Sequence, residues 1–131
     1  MGHLGMTPQT AGLLGGYRVQ GKEKKAAEKI LRDALLLEKL GVFSIVLECV
    51  PATLGAEITK KLRCPTIGIG AGVKTDGQIL VLHDMLGLAG RVHPRFVRAY
   101  AHLERDMRRA VQNYREDVLR SRFPSKEESY T

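Results

Sequence analysis

Glu48 is the side chain best placed for chemistry in this sequence of 131 residues. It follows directly on the apolar run at 42–47, which predicts a strand buried on both faces, as in parallel sheets flanked by helices. The carboxyl end of such a strand is where α/β folds carry their catalytic groups. A carboxylate there can accept a proton as a general base, or it can be an ordinary strand-terminal glutamate that faces water. The residues alone leave both interpretations open.

Two other places carry side chains of catalytic type. His83 and Asp84 follow the third predicted strand and could form an acid/base or metal pair. One histidine beside one aspartate is not metal-ligand spacing, so a loop-capping role is favoured. His3 is the one titratable group of catalytic type in the glycine-rich segment at 2–20. A histidine this close to the first residue is more often frayed and solvated.

The elements that would position these groups alternate between helix and strand. An amphipathic helix is predicted at 22–40, because apolar side chains recur there at helical spacing, and Gly41 supplies a left-handed cap. The apolar positions of this helix are Ala27, Ile30, Leu31, Ala34 and Leu35. The strand at 42–47 follows at once, and a shorter helix is predicted at 52–62, although Gly55 weakens it. Short connections of this kind are typical of βα units.

Glycines separate the remaining predicted strands. The second strand begins at Pro65 and runs into glycines at 68, 70 and 72. A dinucleotide-binding loop is rejected here, because position 73 is valine instead of the glycine that the fingerprint requires, and no helix pattern follows. A third strand is predicted at 78–82. The segment at 2–20 is predicted to be a loop with at most short ordered pieces, and such a loop is usually functional or disordered.

The longest helix is predicted at 94–122. Its apolar side chains recur at spacings of mostly four and three, and this stripe is expected to pack on the body of the protein or on another subunit. The stripe consists of Phe96, Tyr100, Leu103, Met107, Ala110, Tyr114 and Val118. Residues 91–122 also hold nine arginines against four acidic residues, and so supply most of the net charge of +7. We interpret this segment as a solvated basic face instead of a nucleic-acid-binding surface. Salt-sensitive DNA binding that is lost on deletion of residues 91–122 would support nucleic-acid binding.

The composition narrows the class of protein. With 44% hydrophobic and 27% charged residues it is typical of a soluble globular domain. No apolar run reaches the roughly 18 residues that a membrane helix needs, and no signal-peptide pattern is visible. Cys49 and Cys64 are too few for a disulfide scaffold. We therefore expect a cytoplasmic protein with no membrane partner.

Three parallel strands cannot close a barrel, and an open sheet would leave raw edges, so the chain is predicted to be part of a larger fold. Five blocks resemble ketopantoate hydroxymethyltransferase (3-methyl-2-oxobutanoate hydroxymethyltransferase). They are GHLGMTPQ (2–9), GGYRVQG (15–21), LECVP (47–51), PTIGIGAG (65–72) and DGQILVLHDMLG (76–87). The blocks keep the order of the family, extend over nearly the whole chain and match about the C-terminal half of that enzyme.

The resemblance implies a fold for the chain and a division of the chain into three segments. The expected fold is α/β, the C-terminal half of a (βα)8 TIM-type barrel with a long C-terminal helix. Residues 1–131 would form a single partial domain, in which 1–21 are an active-site loop, 22–90 the βα units and 94–122 the helix.

The resemblance also implies a reaction of pantothenate biosynthesis. The family transfers a hydroxymethyl group from 5,10-methylenetetrahydrofolate to 3-methyl-2-oxobutanoate, giving 2-dehydropantoate and tetrahydrofolate, with a divalent ion, usually Mg²⁺, on the keto acid. Glu48 matches the general base of the family. His3 matches an active-site position near the substrate and is the candidate substrate-binding residue. Cys49 has no role in the family pattern and is interpreted as a packed thiol.

The resemblance covers only about half of the enzyme, and the other half carries further active-site residues of the family. The metal-binding carboxylates and the substrate-binding lysine of the family lie there, so no residue of this chain is expected to bind the metal, and no folate-binding residue is assigned. The family also implies a homo-oligomer, for which the stripe at 94–122 is a candidate contact. The alternative function is a catalytically inactive half-barrel that acts only as a subunit-interaction module.

Overall fold

The computed structural model describes residues 1–10, 12, 16, 18–90 and 94–130. These residues form two compact units, Met1–Leu80 and Val81–Thr131. Residues 11, 13–15 and 17 of the predicted active-site loop lie outside the described residues, as do residues 91–93 of the basic segment.

The first unit is built on a sheet of four parallel strands, which lie side by side in chain order. The strands are β1 (Gly2–Gly5), β2 (Ile45–Glu48), β3 (Thr66–Ile69) and β4 (Gly77–Gln78), and the helices are α1 (Lys24–Lys39) and α2 (Ala52–Lys61). Gly5 pairs with Glu48, and Glu48 pairs with Ile69. The carboxyl ends of the first three strands therefore meet at one edge of the sheet. The predicted α/β architecture with parallel strands is confirmed, while the complete barrel stays a prediction.

The hydrophobic core lies between β2 and the two helices. Ile45 and Leu47 are fully buried and belong to one cluster with Ala34 of α1 and with Leu54 and Ile58 of α2. Successive side chains of a strand point to opposite faces of the sheet. Because Ile45 and Leu47 occupy the face that the helices cover, Val46 and Glu48 point to the opposite face. The core thus decides the direction of the Glu48 side chain.

Glu38, near the end of α1, joins that helix to the segment before β3. Its carboxylate accepts hydrogen bonds from the backbone N–H groups of Arg63 and Cys64, the latter at 2.8 Å. The bond from Cys64, followed by the bond from Arg63, lowers the pKa of Glu38 below the ordinary glutamate value of 4.5. Because the pKa of Glu38 is lower in the folded chain, its ionised carboxylate stabilises the fold at any pH above the ordinary glutamate pKa. This stabilisation is lost as the pH falls through the pKa of the folded state.

We expect Glu38→Gln to lower the midpoint of thermal unfolding at pH 7, because an amide oxygen is a weaker acceptor than a carboxylate. The difference from the unchanged chain should shrink as the pH falls below 4.5 and Glu38 takes up a proton. Circular dichroism melts at several pH values measure this. Glu28→Gln, an exposed change on the same helix, is the matched control and should leave the midpoint nearly unchanged. A Glu38→Gln midpoint equal to that of the unchanged chain at pH 7 would contradict the prediction.

The second unit contains α3 (Leu82–Met85) and α4 (Leu103–Leu119). α4 has no buried residue, and Met107, Val111, Tyr114 and Val118 follow one another at spacings of four, three and four along an exposed apolar stripe. The ring of Tyr114 meets that of Phe123 edge-on, with 5.3 Å between the ring centroids. These four side chains nevertheless stay largely exposed among the described residues. Packing of the predicted stripe at 94–122 on the body of the protein or on another subunit stays a prediction. No helix in the described ranges has the length and apolar character to cross a membrane.

The predicted helix at 94–122 is wrong at its first nine positions, because α4 begins at Leu103. The backbone N–H groups of Tyr100 and Leu103 bond to the carbonyls of Met85 and Leu86. Groups used in this way cannot form the first turns of a continuous helix. Phe96 and Tyr100 therefore lie outside the helix, although their spacing of four residues matches helical spacing.

Two strand predictions also need correction. Of the third predicted strand at 78–82, only Gln78 lies in a strand, because β4 is Gly77–Gln78. The neighbouring strand β3 ends at Ile69, before Gly70 with its φ of +68°, so the chain beyond Ile79 has no strand neighbour on β3. His83 and Asp84 thus lie in α3, not at a strand end. The segment at 2–20 is predicted to be a loop with at most short ordered pieces, and Gly2–Gly5 form such a piece, β1. The sheet of the described residues therefore has four strands instead of the three predicted.

Candidate active site

β1 and β2 bring His3 and Glu48 together. His3 pairs in register with Val46, two residues before Glu48, so both side chains point to the same face of the sheet. The distance from His3 Nε2 to Glu48 Oε2 is 2.9 Å. The Glu48 side chain is 13% exposed and that of His3 33%. Glu48 therefore does not face bulk water, and its carboxylate is held by a histidine that is 45 residues away in the sequence.

The backbone of Glu48 is also held by the end of β1. The N–H of Met6 donates to the carbonyl oxygen of Glu48 at 2.9 Å. Gly5, the residue in between, has a φ of +93°, and a Cβ atom at this position would overlap that same carbonyl oxygen. Only glycine fits there without moving one of the two strands. The close approach of β1 to β2 at this point therefore depends on the absence of a side chain.

Cys49 follows Glu48 in a left-handed conformation with a φ of +50°. Its N–H donates to the carbonyl of Ile69 at 2.9 Å, and its own carbonyl accepts from the N–H of Gln20 at 2.8 Å. This conformation is uncommon for a residue with a side chain, and two hydrogen bonds hold it. Burial, and then the charge of Glu48, raise the pKa of the Cys49 thiol. The thiol therefore stays protonated near neutral pH and is a poor nucleophile.

A cleft of about 350 Å³ borders His3 on the side of β1, and Glu48 is not among the residues that line it. His3, Gly5 and Thr7 line it from β1 and the residues that follow, and Lys29 and Ile30 line it from α1. Lys29 forms an ion pair with Asp33, which also lines the cleft. The cleft thus reaches the His3 side of the pair.

The other candidate pair is His83 and Asp84. His83 and Asp84 lie in α3, which belongs to the second unit, and the His83 side chain is exposed. Among the described residues, no three histidine, cysteine, aspartate or glutamate side chains form a group that could hold a metal ion. Mg²⁺ prefers several oxygen ligands in octahedral geometry, whereas the contact seen among the described residues pairs one carboxylate, Glu48, with one imidazole. The described residues therefore do not fit the Mg²⁺ that the resemblance implies.

Sequence reasoning named Glu48 and His3 but missed Gly5 and the left-handed Cys49. Gly5 lies within the block at 2–9, and a glycine at a strand end can indicate that another backbone segment approaches closely there. The positive φ of Cys49 could not be predicted from the sequence, because cysteine has no particular preference for this conformation.

Comparison with known proteins agrees with the sequence blocks. A family model described as ketopantoate hydroxymethyltransferase matches residues 1–126. The chain belongs to the ketopantoate hydroxymethyltransferase family. The resemblance stated from the five blocks is thereby confirmed.

Curated relatives give the extent of the match. A 3-methyl-2-oxobutanoate hydroxymethyltransferase of Thermobifida fusca is 55% identical over 130 residues, which are 99% of this chain and 46% of that protein. The proteins of the same name from Carboxydothermus hydrogenoformans and Christiangramia forsetii are 51% and 54% identical, over 100% and 99% of this chain and 48% of each relative. The chain thus spans about half the length of the ketopantoate hydroxymethyltransferases that it matches.

Proposed function

We propose that this chain is the part of a 3-methyl-2-oxobutanoate hydroxymethyltransferase that carries the proton-abstracting base, Glu48. The observation that supports this most directly is the contact of 2.9 Å between His3 and Glu48 at the carboxyl ends of two parallel strands. An ionised carboxylate that is mostly removed from water, and held in one orientation, is suited to proton transfer. His3 lies beside it and also lines the cleft next to β1.

The reaction begins with removal of a proton that is hard to remove. The hydrogen on C3 of 3-methyl-2-oxobutanoate is acidic only because the neighbouring ketone can take up the resulting charge as an enolate. Glu48 would accept this proton, and C3 would then form a bond to the one-carbon unit of 5,10-methylenetetrahydrofolate. The methylene carbon gives up its bonds to N5 and N10 of the folate, and one water molecule supplies its oxygen while the two hydrogens of that water pass to N5 and N10. The proton taken by Glu48 returns to the new hydroxyl oxygen, so that the products are 2-dehydropantoate and tetrahydrofolate. The chain's own part in this sequence is to hold and move the proton at Glu48.

Stabilisation of the enolate oxygen needs an electrophile, for which the family resemblance implies a divalent ion, and no group of three metal-binding side chains lies among the described residues. The keto acid and the folate are thus proposed to bind where this chain meets the half of the enzyme that it does not contain. Contact with further copies through the apolar stripe of α4 belongs to the same proposal. The alternative is a catalytically inactive half-barrel that acts only as a subunit-interaction module, and the exposed apolar side chains of α4 are the observation that supports it.

A chimeric enzyme separates the two functions. This chain replaces the 130 matching residues of the Thermobifida fusca relative, and the unchanged relative and the isolated chain serve as controls. We expect the chimera to form 2-dehydropantoate within about tenfold of the kcat of the unchanged relative, since sequence differences away from the reacting atoms usually cost little. Loss of the C3 hydrogen in D2O, followed by proton NMR without folate, reports the first step by itself. A folded chimera with neither turnover nor exchange would contradict the proposal and favour the interaction module.

A further inference from the structure

We infer that the end of β1 is a two-point clamp on Glu48, in which His3 and Gly5 are positioning residues. The clamp is defined as His3, Gly5 and the N–H of Met6. One point of it holds the carboxylate and the other holds the backbone carbonyl of the same residue. This inference rests on the proposed role of Glu48 as the base.

The first point of the clamp is the imidazole of His3. A base must carry an ionised carboxylate, which has no hydrogen to donate, so Nε2 of His3 is the donor to Oε2. No further hydrogen bond to the Glu48 side chain comes from the described residues. The hydrogen bond also removes the rotational freedom of a long side chain, which otherwise opposes any single reactive orientation.

The second point is the backbone. The N–H of Met6 bonds to the Glu48 carbonyl, and this bond can form only because Gly5 has no side chain. A Cβ on Gly5 would overlap that carbonyl oxygen and would also lie 2.8 Å from Cγ1 of Val50. The Cα of Glu48 is thereby fixed against the strand that carries His3. The two points lie three residues apart on one strand end, so the distance between imidazole and carboxylate follows from backbone geometry.

A different role for His3 is the substrate contact that the family resemblance implies. The two roles differ in what they do to kinetics. A ligand of the substrate affects KM, whereas a residue that orients the base affects kcat and the rate of C3 exchange. They also differ in the response to glutamine, whose amide N–H can donate to the carboxylate from nearly the position of Nε2.

The first test compares His3→Leu with His3→Gln in the chimera. For the clamp we expect His3→Leu to lower kcat and C3 exchange by roughly 10- to 100-fold with little change in KM, since misplacement of a reacting group by about 1 Å costs this much. His3→Gln should recover most of the loss. Nitrogen NMR of the imidazole in the unchanged chain should show the hydrogen on Nε2. A raised KM at unchanged kcat, or equal losses in the two variants, would overturn the role of His3.

The second test compares Gly5→Ala with Gly41→Ala. Both glycines have a left-handed φ, +93° and +87°, but a Cβ on Gly41 would meet no atom within 4 Å. The two variants therefore share the strain of a positive φ and differ in the overlap with Glu48. We expect Gly5→Ala to lower C3 exchange by about tenfold or more and Gly41→Ala to leave it near that of the parent. Exchange that is equal in both variants would overturn the backbone point of the clamp.

The outcomes also separate the clamp from the proposed function. If Gly5→Ala fails to fold, the two His3 variants still decide the matter. If Glu48→Gln keeps its activity, the base is misassigned and the proposed function fails with it. If Glu48→Gln is inactive but His3→Leu keeps its kcat, the base stands and only the clamp is wrong.

Discussion

Glu48→Gln is expected to lower kcat and the C3 exchange rate of the chimeric enzyme by roughly 10²- to 10⁴-fold, the usual contribution of a general base. Glutamine has nearly the same size and can still accept a hydrogen bond from His3, but its amide cannot take up the proton of C3. KM should change little, because the loss lies in the chemical step. Steady-state turnover and NMR detection of exchange in D2O measure the two quantities.

Glu57→Gln is the matched control for this change. Glu57 lies on α2, about half exposed, and forms an ion pair with Lys61 four residues later. The control alters the charge of the chain by the same amount, and a surface pair of this kind contributes little to stability. Both chimeras should therefore fold, and only Glu48→Gln should lose turnover. A Glu48→Gln chimera within about tenfold of the control would remove Glu48 from the base's role.

The middle of the fold was open to prediction from local patterns. The helix predicted at 22–40 is α1, and the helix predicted at 52–62 is α2. Both predictions succeed because an apolar stripe at helical spacing has one simple outcome, burial against the sheet, as for Ala34 and Ile58. One member of the predicted stripe, Leu35, is 40% exposed, since the buried face of α1 is narrower than the apolar pattern. Periodicity therefore gives the existence of a helix better than the extent of its buried face.

β1 could not be predicted in this way. Its four residues include two glycines, which strands usually avoid, and it becomes a strand only by pairing with β2 more than forty residues away. The site depends on this pairing, because it is β1 that brings His3 to Glu48. The residues of the site were thus visible in the sequence, whereas their contact was a product of tertiary structure. The beginning of α4 failed for a related reason, since backbone bonds from Tyr100 and Leu103 to α3 and the residue after it replace the first helical turns.

Gly55→Ala is expected to destabilise the chain, although alanine has a higher helix propensity than glycine. Inside a helix, alanine is ordinarily favoured over glycine by about 1 kcal/mol. Gly55 is buried in α2, however, and a Cβ at this position would overlap the backbone carbonyl oxygen of Ala71, which is itself 1% exposed. A backbone atom in a packed core cannot rotate out of the way as a flexible side chain can. We therefore expect Gly55→Ala to destabilise the chain by about 1–3 kcal/mol, the usual cost of overpacking.

Urea unfolding followed by circular dichroism measures this, with Ala56→Gly as the control on the neighbouring, less buried position. If helix propensity decided the outcome, Ala56→Gly would lower the free energy of unfolding by about 0.5–1 kcal/mol and Gly55→Ala would raise it by a similar amount. If packing decides, both changes destabilise and Gly55→Ala does so more. The same contact bears on the site, because Ala71 lies two residues after Ile69, whose carbonyl receives the N–H of Cys49 beside the base. A Gly55→Ala chain more stable than its parent would show that α2 can move away from Ala71, and the tight packing behind Glu48 would then be no constraint.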